Sequence, residues 1–217
     1  MTVEQPTRRP GGRTAEVTRR VKEAVVQLLI EGGLAACTFA HVAERASVER
    51  STLYRRYGDR WAMMIDAILD FAADEIPSVS TGSFADDLRF LLDRTAEILA
   101  TPIGPAVWAV GAALRAGAAS EHHDRFWQTR FRQILPIFEA AKERGELPLW
   151  TDEEEVLAFA LGTVHYRMLV MGSRLTPSMI DRIVDQSCAL YGVNRNAAVY
   201  TGRGRTAADR GSRRSSP

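Results

Sequence analysis

The chain has little cysteine, no long apolar run and no strand-like alternation, and each lack removes a class of protein. Only Cys37 and Cys188 occur among its 217 residues. Two distant thiols in helical contexts exclude a disulfide framework or a cysteine-built metal cage, and both are expected to be reduced and buried. No apolar stretch approaches the ~20 residues needed to cross a bilayer. The opening residues, Met1 to Pro10, lack the apolar core of a secretion signal, so a cytoplasmic location without a membrane partner is expected. Nucleophile elbow, phosphate loop and metalloprotease helix are all missing, which argues against an enzyme. Glu121-His122-His123-Asp124 has the residue types of a metal site, but adjacent histidines point to different helix faces and no i,i+4 pair is present. It reads as a solvated helix start, and neither a metal nor a cofactor is expected.

What is present is a soluble composition, 46% hydrophobic and 25% charged, with charge unevenly placed. Residues 1–60 hold 11 basic and 7 acidic side chains, residues 61–194 hold 11 and 19, and residues 195–217 hold 6 and 1. A net charge of +1 thus hides a basic head, an acidic body and a basic tail. Nucleic acid responds to the local field within a Debye length of ~8–10 Å, so the head is attractive to it and the body is not.

Apolar positions follow helical spacing almost throughout. Val17, Val21, Ala24, Val25, Leu28 and Leu29 mark a first helix stopped by Gly32-Gly33. Thr38 caps a second carrying Phe39, Val42 and Ala43 inward, and Val48, Leu53 and Tyr57 line the inner side of a third. Asp59 caps a fourth that Pro77 ends. Further helices run through Leu88–Leu99, to near Gly117, over residues 121–144 with a kink at Pro136, from Glu153 to Met171, and from Ser178 to Tyr191. The pattern implies an all-α protein of about nine helices. It divides into a disordered basic arm (1–13), a basic helical head (14–60), an acidic helical body (61–194) and a disordered basic tail (195–217).

One stretch carries specific chemistry. From Thr38 to Trp61 two short helices flank a tight break, and the second is crowded with arginine, hydroxyl and tyrosine side chains. Such a pair presents a helix to the major groove. Arg50, Ser51, Thr52, Arg55 and Arg56 lie on or near its exposed side. Arginine grips guanine O6 and N7 as a fork, while hydroxyls and Tyr54 suit phosphate oxygens.

Over about residues 14–70 this sequence resembles the tetracycline-repressor-like (TetR-like) family of transcriptional regulators. Thr38, Val42-Ala43, Ala46, Val48, Thr52-Leu53-Tyr54, Tyr57 and Arg60 stand at the family's motif positions. The resemblance implies that Thr38, Tyr54 and Arg60 hold the DNA backbone. It makes Arg50, Ser51, Thr52, Arg55 and Arg56 candidates for base or phosphate contact, with Val48 and Leu53 in the core. Three positions depart from the pattern: Ser47 replaces the turn glycine, Glu49 replaces a serine, and Arg60 replaces a lysine. A positive φ at Ser47 would be strained, and an outward Glu49 would oppose phosphates. Arg8, Arg9 and Arg13 are candidates for added non-specific affinity.

By the same resemblance the acidic body dimerises and encloses a small-molecule effector. Ala158, Gly162, Thr163, Ile180, Ile183, Val184 and Ser187 are the candidates for the dimer interface, the alternative being ordinary core. Trp108, Leu114, Phe126, Trp127, Arg130, Phe131, His165, Tyr166 and Met168 are the candidates for a bulky, largely apolar effector of unknown identity, with Arg130 or His165 orienting a polar group. The expected whole is a homodimeric repressor bound to a double-stranded DNA operator of pseudo-palindromic sequence. A helical small-molecule carrier or enzyme whose head is only structural remains open, as does a dimer that reads DNA without an effector.

Overall fold

The computed structural model describes residues 11–118 and 120–194. Regular structure among these residues is entirely helical, as the apolar spacing implies. The arm up to residue 10 and the tail from residue 195 lie outside them. Gly11 to Arg13, expected to belong to the arm, are the start of the first helix.

Helix α1 (Gly11–Ala36) buries Val21, Ala24, Val25, Leu28 and Leu29, the apolar stripe of its sequence. Its path breaks at Gly33 (φ 61°, ψ −154°), a conformation that only a residue without Cβ takes easily. Helix α2 (Phe39–Ala46) begins at Thr38, whose Oγ1 accepts the His41 N–H at 3.2 Å. It ends at Ser47, which takes the left-handed conformation (φ 52°, ψ 53°) and donates its N–H to the carbonyls of Ala43 and Glu44. Helix α3 (Arg50–Tyr57) follows after Glu49 and buries one side chain, Leu53. Helix α4 (Arg60–Glu75) is capped by Asp59, whose Oδ1 accepts the N–H groups of Trp61 at 2.7 Å and Ala62 at 3.0 Å. Two orphan donors of the first turn are thereby satisfied.

Helix α5 spans Phe84–Leu99, and α6 spans Ile103–Ala113 with a π-helical continuation over Leu114–Ala118. The single kinked helix expected over 121–144 is two helices, α7 (Ser120–Ile134) and α8 (Pro136–Glu143). Proline lacks the N–H that would continue the ladder, and the break falls at Leu135, directly before Pro136. Helix α9 (Glu153–His165) opens on Asp152, whose Oδ1 accepts the Glu155 N–H at 3.1 Å, and runs on as a π-helix over Tyr166–Val170. Helix α10 (Pro177–Leu190) closes the described chain.

Packing divides the described residues into two compact units, 11–77 with 96–133, and 78–95 with 134–194. The first is larger than a three-helix head. Its core joins Val25, Leu29, Val42, Leu53, Met64 and Ile68 of α1–α4 to Val110, Leu114 and Phe126 of the later helices. In the second unit Phe84 and Phe138 pack with ring centres 5.2 Å apart. There the buried Glu146 accepts the Phe84 N–H through Oε2 and takes Arg144 Nε on Oε1 at 2.8 Å, so one carboxylate starts α5 and stays neutralised.

Ser47 is the one non-glycine residue with positive φ among those described. The strain anticipated from sequence is therefore present. Ser47→Gly is expected to raise unfolding free energy by about 1 kcal/mol, since an L residue carries a penalty of about 1–2 kcal/mol there and glycine returns part of it as chain entropy. Urea unfolding of the two proteins checks this; a destabilised glycine variant would contradict it.

Candidate nucleic-acid interface

Leu53 is fully buried, while Val48 and Tyr57 are half-buried against the same core. With that side of α3 turned inward, Arg50, Ser51, Tyr54, Arg55 and Arg56 are exposed and Thr52 is half-exposed. Arg60, at the first position of α4, is exposed beside them. Thr38 is half-buried and already spends its hydroxyl oxygen as an acceptor in the α2 cap. The sequence candidates thus stand exposed or half-exposed at the start of α2, along α3 and at the start of α4.

Aromatic rings order several of these cations. The Arg50 guanidinium carbon lies 5.5 Å from the Tyr54 ring centre, Arg56 lies 5.4 Å from Tyr57, and Arg60 lies 5.0 Å from Trp61. Each is within reach of the ring's negative face. Arg45, in contrast, is occupied by Glu31 of α1 at 2.6 Å. Glu49 is exposed, stands at the N-cap of α3 and makes no side-chain cap, so it contributes a negative charge without the hydrogen bond a serine would supply.

Helix α4 is tied on two sides. Lys22 of α1 reaches Asp66 at 3.4 Å and Asp70 at 3.0 Å, and the Tyr57 hydroxyl donates to Asp66 at 3.5 Å. At its start, Asp59 Oδ2 lies 2.9 Å from His122 Nε2 of α7. The reading of His122 as part of a solvated helix start is corrected: its side chain is only 15% exposed. Asp59 sits far from it in sequence, and no local pattern could reveal the partner. Burial raises the Asp59 pKa, but the Ala62 N–H, the His122 bond and the Trp61 N–H outweigh it and hold the carboxyl below its ordinary value. Glu121 brings a further carboxylate within 4.8 Å of this pair. Both helix starts present their positive ends there, which disfavours a cation, and the imidazole and Asp59 already satisfy each other.

Beside this link, α4 and α7 flank a cleft of about 220 Å³ lined by Ala62, Ile65, Asp66, Leu69, Asp70, Ala73, His122, Arg125, Thr129 and Gln133. None of the nine effector candidates lines it. Leu114 and Phe126 are core, Trp108 and Trp127 are exposed, and Phe131 is half-buried. Arg130 donates to Gln133 at 3.2 Å, and burial pulls its pKa down to about 10. His165, Tyr166 and Met168 belong to the second unit. His165 lies 2.7 Å from the Leu161 carbonyl and burial lowers its pKa, whereas Tyr166 is 59% exposed.

The interface candidates divide in the same way. Ile180, Ile183, Val184 and Ser187 are buried within the single chain, at 4% exposure or less, and are core there. Ala158 and Gly162 are exposed, and Thr163 is half-exposed with its hydroxyl donated to the Phe159 carbonyl.

Two family models match this chain. Bacterial regulatory proteins, tetR family, covers residues 23–67, and tetracyclin repressor-like, C-terminal domain, covers residues 79–187. The chain belongs to the tetR family. Among its relatives, the HTH-type transcriptional regulator AqdR of Rhodococcus erythropolis is 30% identical over 79% of this chain and 84% of its own. The HTH-type regulator YdeS of Bacillus subtilis (strain 168) is 29% identical over 76% and 85%. In fold the chain is similar to the TetR family transcription regulator SCO0332, at TM-score 0.68 and 23% identity, over 80% of this chain and 97% of that one. Like its family, it is a DNA-binding, helix-turn-helix regulator of transcription. No single helix among the described residues is long and apolar enough to cross a membrane.

The Asp59 cap gives a test with a definite sign. A carboxyl with a depressed folded pKa contributes its stability above the ordinary aspartate range and loses it as pH falls through the lower folded value. Asp59→Ala is expected to cost about 1 kcal/mol at neutral pH. The difference from the parent protein is expected to narrow in acid, as pH falls through the depressed folded value and the carboxyl becomes protonated in both states. Urea midpoints at both pH values measure it; a pH-independent difference would contradict the assignment.

Proposed function

We propose that the protein is a homodimeric repressor that places α3 of each protomer in the major groove of one half of a pseudo-palindromic operator. The observation that carries this reading is the single buried residue of α3, Leu53, which leaves Arg50, Tyr54, Arg55 and Arg56 facing outward together. Arg50 and Ser51 stand at the N-terminal end, the end that meets base edges in helix-turn-helix readers. Arg55, Arg56 and Arg60 supply phosphate contact, with Thr38, Thr52 and Tyr54 as neutral partners. Half-site centres then lie about 34–36 Å apart.

For the dimer, the outer side of α9 and its π-helical continuation supports a partner surface. Ala158, Gly162, Tyr166 and Val170 recur every fourth residue and are exposed, and Leu190 of α10 is exposed as well. Small residues at one end admit close approach of a symmetry-related helix, while the larger ones supply apolar area. This places the contact opposite Ile180, Ile183, Val184 and Ser187, which serve as the support beneath it.

The cleft between α4 and α7 is the effector site favoured by the geometry. Six of its ten lining residues are polar or charged, which turns the expected effector from bulky and apolar to small and polar. Since α4 starts beside α3, a ligand that moves α4 against α7 changes the presentation of Arg60 and α3. It lowers DNA affinity only by its preference for the non-binding arrangement.

Mobility shift on the DNA upstream of the protein's own gene, across a salt series, tests the reading. The parent protein is expected to give a specific shift, and Arg60→Ala to weaken binding on every sequence while reducing the salt slope by about 1.8, the value of one phosphate contact in each of the two protomers. No specific shift at any salt concentration would favour a helical carrier or enzyme with a structural head.

A further inference from the structure

We infer that Tyr54 is a positioning residue for Arg50, presetting its guanidinium for base recognition instead of serving only as a backbone contact. This rests on the reading that Arg50 meets a base edge. The two side chains stand one turn apart on α3, and Arg50 Nη2 donates to the Tyr54 hydroxyl at 3.1 Å. The guanidinium carbon is 5.5 Å from the same ring centre, so hydrogen bond and ring attraction act on one cation together.

Tyr54 is itself held. Its ring meets Phe39 of α2 edge-on, with centres 4.4 Å apart and planes at 67°. Phe39 is a core residue at 7% exposure, whereas Tyr54 is 47% exposed. The order of the core is thus passed outward in two steps, from Phe39 to the Tyr54 ring and from Tyr54 to Arg50. Arg50 thus has both a ring and a hydrogen bond from the same exposed partner.

Arg50's charge stays available, because no carboxylate among the described residues forms an ion pair with it. Arg45 shows the opposite arrangement, with Glu31 taking up its guanidinium. A tyrosine hydroxyl orients a cation without neutralising it. A free arginine loses much rotameric freedom on docking, and a preset one has met that cost before DNA arrives. The benefit falls on the base that fits the preset fork, which makes Tyr54 a source of specificity more than of affinity.

The test uses the full-length protein with Tyr54→Phe, Arg50→Ala and the double variant. In the free protein, NMR relaxation of the Arg50 Nε–H group is expected to report greater order than that of Arg55, and Tyr54→Phe to lower it towards Arg55. Equal mobility of Arg50 and Arg55 in the parent protein would overturn the proposal. On operators substituted one base pair at a time, Arg50→Ala is expected to relax discrimination at one position by about 5- to 150-fold, the range of a bidentate pair. Tyr54→Phe is expected to lose a severalfold share of that same discrimination, to add no further loss of discrimination in the Arg50→Ala background, and to leave the salt slope unchanged. A loss equal on all operators, with base discrimination intact while Arg50 is present, would leave Tyr54 a backbone contact alone and overturn the inference. Arg50→Ala leaving every base preference intact, with Arg50 ordered in the free protein, would locate the failure in the base-reading role and remove the specificity function with it.

Discussion

An eight-residue helix does not hold itself together in water, and α3 is eight residues long. Its order is borrowed from Leu53, sealed in the core formed by α1, α2 and α4. Burying that one side chain contributes about 1.5–3 kcal/mol and fixes the rotation of the helix about its axis. Everything offered to DNA follows from that rotation. With Leu53 inward, the arginines and Tyr54 face outward, and Gly58 (φ 76°) then turns the chain so that Asp59 can start α4 and bring Arg60 alongside.

The same core extends well beyond the reading head. Helices α6 and α7, with the π-helical continuation of α6, contribute Val110, Leu114 and Phe126 to it, so the first unit carries both the surface proposed to face DNA and the cleft on α4. Asp59 belongs to both, capping α4 with one oxygen and meeting His122 with the other. Individual surface ion pairs such as those of Lys22 with Asp66 and Asp70 contribute about 0–1 kcal/mol. Their value lies in register: α1 and α7 grip α4 from two sides, and any ligand between α4 and α7 acts on a helix whose first turn abuts α3.

Much of this was legible from residue types. The break at Gly32-Gly33, the caps at Thr38 and Asp59, and the strained turn at Ser47 are local effects, each written within four residues of sequence. Pro136 marks an interruption in the sequence, and the break between α7 and α8 falls there. The outward row on α3 followed from Leu53 and Tyr57 marking the inner side. What escaped was pairing across distance. His122 looked solvated because its partner is Asp59, and Glu146 gave no sign that it would start α5 at Phe84. Helical periodicity also identifies an apolar face without saying what covers it. Ile180, Ile183, Val184 and Ser187 accordingly read equally well as core or interface, until the packing of the second unit made them core.

The central claim is that two copies of α3 read one DNA site from its major groove, and guanine-N7 methylation interference on the bound upstream fragment tests it most directly. Methylation blocks the acceptor that an arginine fork requires. Interference is expected at guanines in two related clusters about 10–10.5 base pairs apart, centre to centre. A protected fragment without interference at any guanine N7, or with a single cluster lacking a symmetric counterpart, would contradict the account.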